Sequence, residues 1–207
     1  MPSDTDIANM AIDRIGHEPI TSFDQGNKAA DLISRNYARV RNALLRAHPW
    51  NFAIKRATLA LSGTTPNHEF DYQHTLPTDC LKVIRTEWEA DFTSGAAIYG
   101  FPGVHGYATN SVPYRIEGRF LLCNETVASI EYVAEITDCA QFDELFIDIL
   151  AQRLAAEICM SLTDNATLAK GLWDIYQAKL VEARMIDATE GTPRQVVDLS
   201  PWLVARN

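Results

Sequence analysis

Apolar residues at helical spacing open the chain and predict two helices. Ser3 is a suitable N-cap for a short first helix, and Gly16 ends it. The apolar positions of this helix are Ile7, Met10, Ala11 and Ile15. A longer helix is predicted from Lys28 to Ala47, and Pro49 prevents its simple continuation. Its apolar residues, which recur at steps of four, three and four and form one stripe, are Ile33, Tyr37, Val40 and Leu44.

The middle of the chain, from about Ser62, is rich in glycine and proline, and the segments between these residues have the spacing of β-strands. Strands are predicted at 70–76 and 81–88, on either side of a turn at 77–79. A tight hairpin is predicted around Glu117-Gly118, between strands at 114–116 and 119–123. The clearest alternation of apolar and polar residues runs from Ala128 to Ile136 and predicts a further strand.

Helical spacing returns after Asp138 and predicts two more helices. The apolar face of the first consists of Phe142, Leu145, Phe146, Ile149, Leu150, Leu154, Ile158 and Leu162. The face of the second consists of Leu172, Ile175, Tyr176, Leu180 and Ala183. Gly191 and Pro193 end the last helix, and the remaining residues are too interrupted for a helix yet too apolar for a free tail.

This order of elements predicts an α+β fold. Residues 1–61 and 139–191 form a helical bundle built from the N- and C-terminal helices. Residues 62–138 form a β-rich domain inserted into that bundle, and residues 192–207 form an extended C-terminal docking tail. The chain has no run of 18 apolar residues, so we expect no membrane span and no membrane partner.

Charge is distributed unevenly along the chain. The net formal charge is −9, yet the segment from Lys28 to Arg56 holds seven basic residues and one acid, Asp31. Within it, Arg35, Arg39 and Arg46 fall off the apolar stripe. We therefore expect these arginines to contact an acidic surface on a partner chain, with a solvated helix face as the open alternative.

Residue types that support catalysis or metal binding do not form a recognisable pattern in this sequence. None of the five histidines forms a metal-binding pair at helical spacing. The four cysteines are Cys80, Cys123, Cys139 and Cys159; they form no C-x-x-C motif, and we expect buried free thiols. The Gly-rich run 100–106 lacks the residues of a phosphate-binding loop. We expect no catalytic residues, no metal and no cofactor.

Several segments resemble the tail tubular protein A family, the head-to-tail adaptors of short-tailed bacteriophages. The opening ANMAIDRIG at 8–16 and the stretch YARVRNALLRAHPWNFA at 37–53 carry the resemblance, and 44–53 is its most specific part. The shorter matching segments are FDY at 70–72, LPTDCL at 76–81, YRIEG at 114–118, IEY at 130–132 and SPWL at 200–203. The match covers nearly the whole length in order, except for 89–113.

The resemblance implies a structural protein that is not an enzyme. Members of that family form a ring, usually of twelve copies, between the portal protein and the tail nozzle protein. DNA passes through the ring without sequence-specific binding. The implied location is the head–tail junction of the virion, with assembly in the host cytoplasm. The open alternatives are a virion-associated enzyme, such as a cell-wall hydrolase, and a DNA-binding regulator.

Three sets of residues follow as candidate sites. We expect Trp202, Leu203 and Val204 in the tail to dock on a neighbouring copy or on the portal. The β-rich segment holds eleven acids and four bases, so we expect acids there to line the channel or to face the tail, where they repel DNA phosphates. These acids include Glu69, Asp71, Glu87, Glu89, Asp91 and Glu117. Tyr99, Phe101 and Tyr107 mark a mobile contact loop.

Overall fold

A computed structural model describes residues 2–87 and 113–190, with the backbone alone at Glu87. The described chain mixes helices with two antiparallel sheets, which agrees with the predicted α+β class. The helices are α1 (Asp4–Asp13), α2 (Lys28–Ala47), α3 (Glu144–Thr163) and α4 (Ala166–Asp187). The strands are β1 (Ile54–Thr58), β2 (Ala60–Leu61), β3 (Tyr72–Thr75), β4 (Cys80–Glu87), β5 (Arg115–Glu117), β6 (Phe120–Cys123) and β7 (Ser129–Ala134).

Local side-chain caps fix where the helices begin. Ser3 and Asp6 form a reciprocal capping box at the start of α1, which confirms the predicted N-cap. The Asn27 side chain accepts a hydrogen bond from the Ala30 N–H, so α2 begins where it was predicted to begin. Asp164, in the left-handed conformation, and Asn165 are the whole connection between α3 and α4. Such a short link makes these two helices antiparallel neighbours.

The chain divides into two compact units. Unit 1 comprises residues 1–55, 78–84 and 132–190, and it contains all four helices. Within it, α3 packs against α1, α2 and α4. Most of the α3 surface is buried, including Phe146, Leu150 and Leu154, as expected for a helix that has neighbours on several sides. Residues 78–84 and 132–138, which the sequence analysis placed in the β-rich segment, belong to this unit.

Unit 2 contains β2, β3, β5 and β6 among its described residues, and these strands form one sheet in the order β2-β3-β6-β5. The predicted hairpin is present, because Glu117 pairs with Phe120 across β5 and β6. Its turn residues are Gly118 and Arg119, one position later than predicted. Gly118 has a φ of +60°, which a glycine accepts without a Cβ clash. The other sheet has the order β1-β7-β4.

Two apolar residues predicted to face the core are exposed. Met10 is 38% exposed, because the buried side of α1 consists of Ile7, Ala8, Ala11 and Ile12 and Met10 lies away from it. Ile175 is 48% exposed although it lies next to buried Tyr176. The stripe predicted for α2 is fully buried, as expected. Within the part of the chain that the structure describes, no helix is both long and apolar enough to cross a membrane.

Candidate interaction surfaces

The three predicted contact arginines, Arg35, Arg39 and Arg46, are exposed on one side of α2. The Arg35 Nε–H donates to the carbonyl of Asp31 at 3.0 Å, and Arg46 donates to the carbonyl of Leu81. Neither Arg35 nor Arg46 forms a salt bridge to a carboxylate among the described residues. Their positive charges are therefore available to a partner, whose identity stays a prediction.

Arg39 differs from these two because it belongs to a network that crosses three helices. It donates to Glu157 of α3 at 3.2 Å, and Arg153 donates to the same carboxylate at 2.9 Å. The Arg153 guanidinium also lies over the Trp173 ring of α4, 4.4 Å from its centroid. Burial alone would raise the pKa of Glu157. The hydrogen bonds and positive charges of Arg153 and Arg39 lower it by more, so the pKa of Glu157 is below its usual range.

The side of α4 that points away from α3 carries apolar residues as well. We call this side the outer face of α4; its exposed apolar residues are Ala178, Val181 and Met185, and Ile175 and Ile186 are exposed at its border with the buried side. Val181 and Met185 are each 65% exposed. A surface helix normally has a polar side opposite its buried stripe. We therefore expect this face to contact another protein.

A buried arginine in α2 was not predicted as a distinct feature. Arg41 is 6% exposed, and its guanidinium donates to the Glu135 carboxylate at 2.9 Å. Asn42 donates to the same oxygen at 2.8 Å. The available signal was the position of Arg41, four residues after Tyr37 and three before Leu44, which places it beside the apolar stripe.

The start of α1 is attached to the rest of unit 1 through a buried cluster. The Asp4 carboxylate accepts hydrogen bonds from the Tyr37 hydroxyl and the Cys139 thiol, both at 2.7 Å. Burial, followed by the hydrogen bond to the Asp4 carboxylate, raises the pKa of the Cys139 thiol to about 11. Burial, with the bonds to Cys139 and Asp4, also raises the pKa of Tyr37. The cluster is therefore stable only while both groups keep their protons.

We expect this cluster to make the chain less stable in alkaline solution. Cys139 has an ordinary pKa of 9.0 and a folded pKa of about 11. Its contribution is complete below pH 9 and is lost as the pH rises toward 11, because only the unfolded chain can release the thiol proton in that window. The urea midpoint should fall between pH 8 and pH 10.5. The fall should be smaller in Cys139→Ala, and an equal fall in both proteins would contradict the assignment.

Two of the predicted acids, Glu69 and Glu117, meet at a cleft in unit 2. The cleft has a volume of about 230 Å³, and its lining includes Glu69, Phe70, Gln73 and Glu117. Arg115 forms ion pairs with both carboxylates, at 3.1 Å to Glu69 and 3.3 Å to Glu117. The two acids are more than half exposed. Their charge is therefore partly neutralised, and the exposed side of the cleft remains acidic.

The remaining predicted positions fall into two groups. Asp71 is exposed, and its backbone N–H donates to the Asn124 side chain at 3.0 Å. It is close in sequence to Glu69 and Phe70 but does not line the cleft. The other positions lie outside the described residues: Glu89, Asp91, Tyr99, Phe101, Tyr107, Trp202, Leu203, Val204 and the side chain of Glu87. Their predicted roles stay predictions.

The four cysteines and His74 are buried in the fold. All four cysteines are free and buried. His74 is completely buried, and its Nε2 lies 2.9 Å from the Glu125 carbonyl. No group of three His, Cys, Asp or Glu side chains in residues 2–87 and 113–190 is arranged to hold a metal ion.

Comparison with known proteins gives no assignment. No protein-family model matches this sequence, and no curated protein matches it significantly.

Proposed function

We propose that this chain is a structural head-to-tail adaptor of a short-tailed bacteriophage, which forms a ring around the DNA channel between portal and tail nozzle. The main observation that supports this proposal is the outer face of α4, where Val181 and Met185 are exposed on a helix whose opposite side is already packed. A protein that assembles with other chains has a use for such a surface. The sequence resemblance, which is most specific at 44–53, supplies the kind of assembly.

In this proposal the adaptor consists of a helical bundle, an inserted β-rich domain at 62–138 and a docking tail at 192–207. The exposed acids Glu69, Asp71 and Glu117 support a channel role for the β-rich domain. An acidic wall repels the phosphates of passing DNA and keeps the duplex from adhering. The partners are further copies of the chain, the portal protein and the tail nozzle protein, and the location is the head–tail junction.

The oligomeric state tests this proposal. The purified chain should be measured by size-exclusion chromatography with light scattering, alone and with portal rings from the same virion, and the product imaged by negative-stain electron microscopy. We expect a ring on the portal. A chain that stays monomeric at every concentration and never binds portal would contradict the adaptor role. A cell-wall hydrolase or a DNA-binding regulator would give that monomeric result.

We expect deletion of residues 192–207 to abolish assembly and leave the fold intact. The segment is apolar, with Trp202, Leu203 and Val204 near its end, and residues of this type provide much of the energy of protein interfaces. Far-ultraviolet circular dichroism should show unchanged helix content while light scattering shows no ring. Replacing all three residues by serine in the full chain is a milder matched variant. If the shortened chain unfolds, the tail belongs to the core of its own subunit.

A further inference from the structure

We propose that the subunits of the ring contact each other through α2 and α4: the outer face of α4 on one copy packs against the basic face of α2 on the next. This inference rests on the proposed adaptor function. The basic face of α2 consists of Arg35, Ala38, Arg39, Ala43 and Arg46, all exposed. Both faces lie in unit 1, so the two partner surfaces are present on every copy of the chain.

Charge complementarity identifies a second copy as the occupant of the outer face of α4. Asp174 and Glu182 are exposed on α4, eight residues apart, which is about 12 Å along a helix. Arg39 and Arg46 are exposed on α2, seven residues apart, which is about 10 Å. Arginine side chains are long enough to cover the difference of about 2 Å. Each carboxylate of one copy can therefore meet a guanidinium of the next.

The shapes of the two faces are complementary as well. Between its arginines, α2 exposes the small side chains of Ala38 and Ala43. Between its acids, α4 exposes Ala178 at the midpoint and the larger Val181 beside Glu182, while Met185 extends the apolar row. Small residues at the centre of both faces allow the helix axes to approach to about 8–10 Å. The contact has an apolar centre and a charged rim, which is the usual anatomy of a specific interface.

The proposed contact joins two different surfaces. The basic face of α2 and the outer face of α4 consist of different residues, and the opposite sides of both helices are buried in unit 1, where each packs against α3. In a ring each copy gives its α2 face to one neighbour and its α4 face to the other, so the contact is heterologous and one of each face stays free after every addition. Repetition of such a contact gives a closed ring or an open helix, whereas a self-complementary contact would stop at a dimer.

Paired charge reversals test the contact directly. Variant A carries Arg39→Glu and Arg46→Glu, and variant B carries Asp174→Lys and Glu182→Lys. Under conditions in which the unmodified chain forms rings, each variant alone places like charges opposite each other, and we expect the ring fraction to fall at least tenfold. An equal mixture should restore rings, because every A–B contact again joins opposite charges. These rings must alternate A and B, so electron microscopy should show only even copy numbers.

Two controls keep the result specific. Glu18→Lys reverses one exposed charge in the loop after α1 and should leave assembly unchanged. Circular dichroism should show that both variants keep their helix content, which matters because Arg39 also pairs with Glu157 of its own chain. If A and B each still form rings as readily as the unmodified chain, the α2–α4 contact is wrong while the adaptor proposal stands. If the unmodified chain forms no ring even with portal, the adaptor proposal itself fails.

Engineered cysteines provide a second readout. Ala43 lies near the middle of the span from Arg39 to Arg46, and Ala178 lies midway between Asp174 and Glu182. When the arginines of one copy meet the acids of the next, the two alanines therefore lie opposite each other, whether the helices are parallel or antiparallel. The four native cysteines are buried and do not compete. Mixing Ala43→Cys with Ala178→Cys and oxidising with copper phenanthroline in air should give a covalent heterodimer, while each variant alone gives none. A covalent dimer from Ala178→Cys alone would overturn the proposal in favour of an α4–α4 contact.

Discussion

Replacing Trp50 with alanine should lower the free energy of unfolding by about 3–5 kcal/mol. The indole is only 1% exposed, and its ring packs edge-on against Phe146 with centroids 5.4 Å apart. It also packs against His48, at 4.7 Å, and Phe52, at 6.4 Å. Its Nε1–H donates to the carbonyl of Leu44 at 3.1 Å. The substitution removes these contacts together and leaves a cavity with one carbonyl deprived of its donor.

Urea unfolding followed by circular dichroism would measure this loss. Trp173→Ala is the matched control, since Trp173 is 38% exposed and its main ring contacts are with Arg153 and Tyr176. A cation–π contact at such a site contributes about 0.5–1 kcal/mol, so the control should cost far less. Trp50→Phe should fall between the two, because it keeps the aromatic packing but not the hydrogen bond. Equal costs at both tryptophans would show that the Trp50 cluster does not hold unit 1 together.

Removing Glu135 from its ion pair with Arg41 should lower the free energy of unfolding more than removing Arg41. Glu135→Leu leaves the Arg41 guanidinium without its carboxylate, in a side chain that is only 8% exposed. Removing one member of a buried pair costs about 3–5 kcal/mol. Arg41→Leu leaves Glu135, which is 35% exposed and still accepts a hydrogen bond from Asn42. We expect that loss to be about 1.5–3 kcal/mol, the value of a single hydrogen bond to a charged group.

A double-mutant cycle distinguishes this asymmetry from simple loss of packing. The variant with leucine at both positions should be more stable than Glu135→Leu alone, because it contains no buried unpaired charge. The coupling energy should lie between about 0.5 and 3 kcal/mol. Additive losses would mean that the two side chains are near each other but do not stabilise the fold as a pair. A larger loss for Arg41→Leu than for Glu135→Leu would reverse the predicted order.

Features fixed by short-range chemistry were predictable from the sequence. The bounds of α2 follow from the Asn27 cap and from Pro49, and the observed helix has the predicted bounds Lys28–Ala47. The β5–β6 hairpin was predicted, but the predicted turn lay one residue before the observed one, since glycine marks a turn without fixing its position in it. Both results depend on residues within a few positions of each other.

Features that depend on distant residues were not predictable. The segments that flank the turn at 77–79 are both strands, yet β3 and β4 belong to different sheets, and strand pairing is not encoded in the alternation of one strand. Apolar spacing did not identify Met10 and Ile175 as exposed, because a helix with two apolar sides has two possible core faces. The burial of Arg41 depends on Glu135, 94 positions away, so a pattern read along one helix cannot reveal it.

Unit 1 is assembled from segments that are far apart in the sequence, 1–55, 78–84 and 132–190, and this order has a consequence for its synthesis. The apolar stripe of α2 is covered partly by α3, and α3 in turn needs α4, which ends at Asp187. A ribosome that adds about 5–20 residues per second releases α2 on the order of ten seconds before α4 is complete. During that interval the nascent chain exposes Ile33, Val40 and Leu44. We therefore expect the nascent chain to be bound by a holding chaperone, and ribosome profiling of chaperone-bound nascent chains should show occupancy that starts after α2 emerges and ends after α4 emerges.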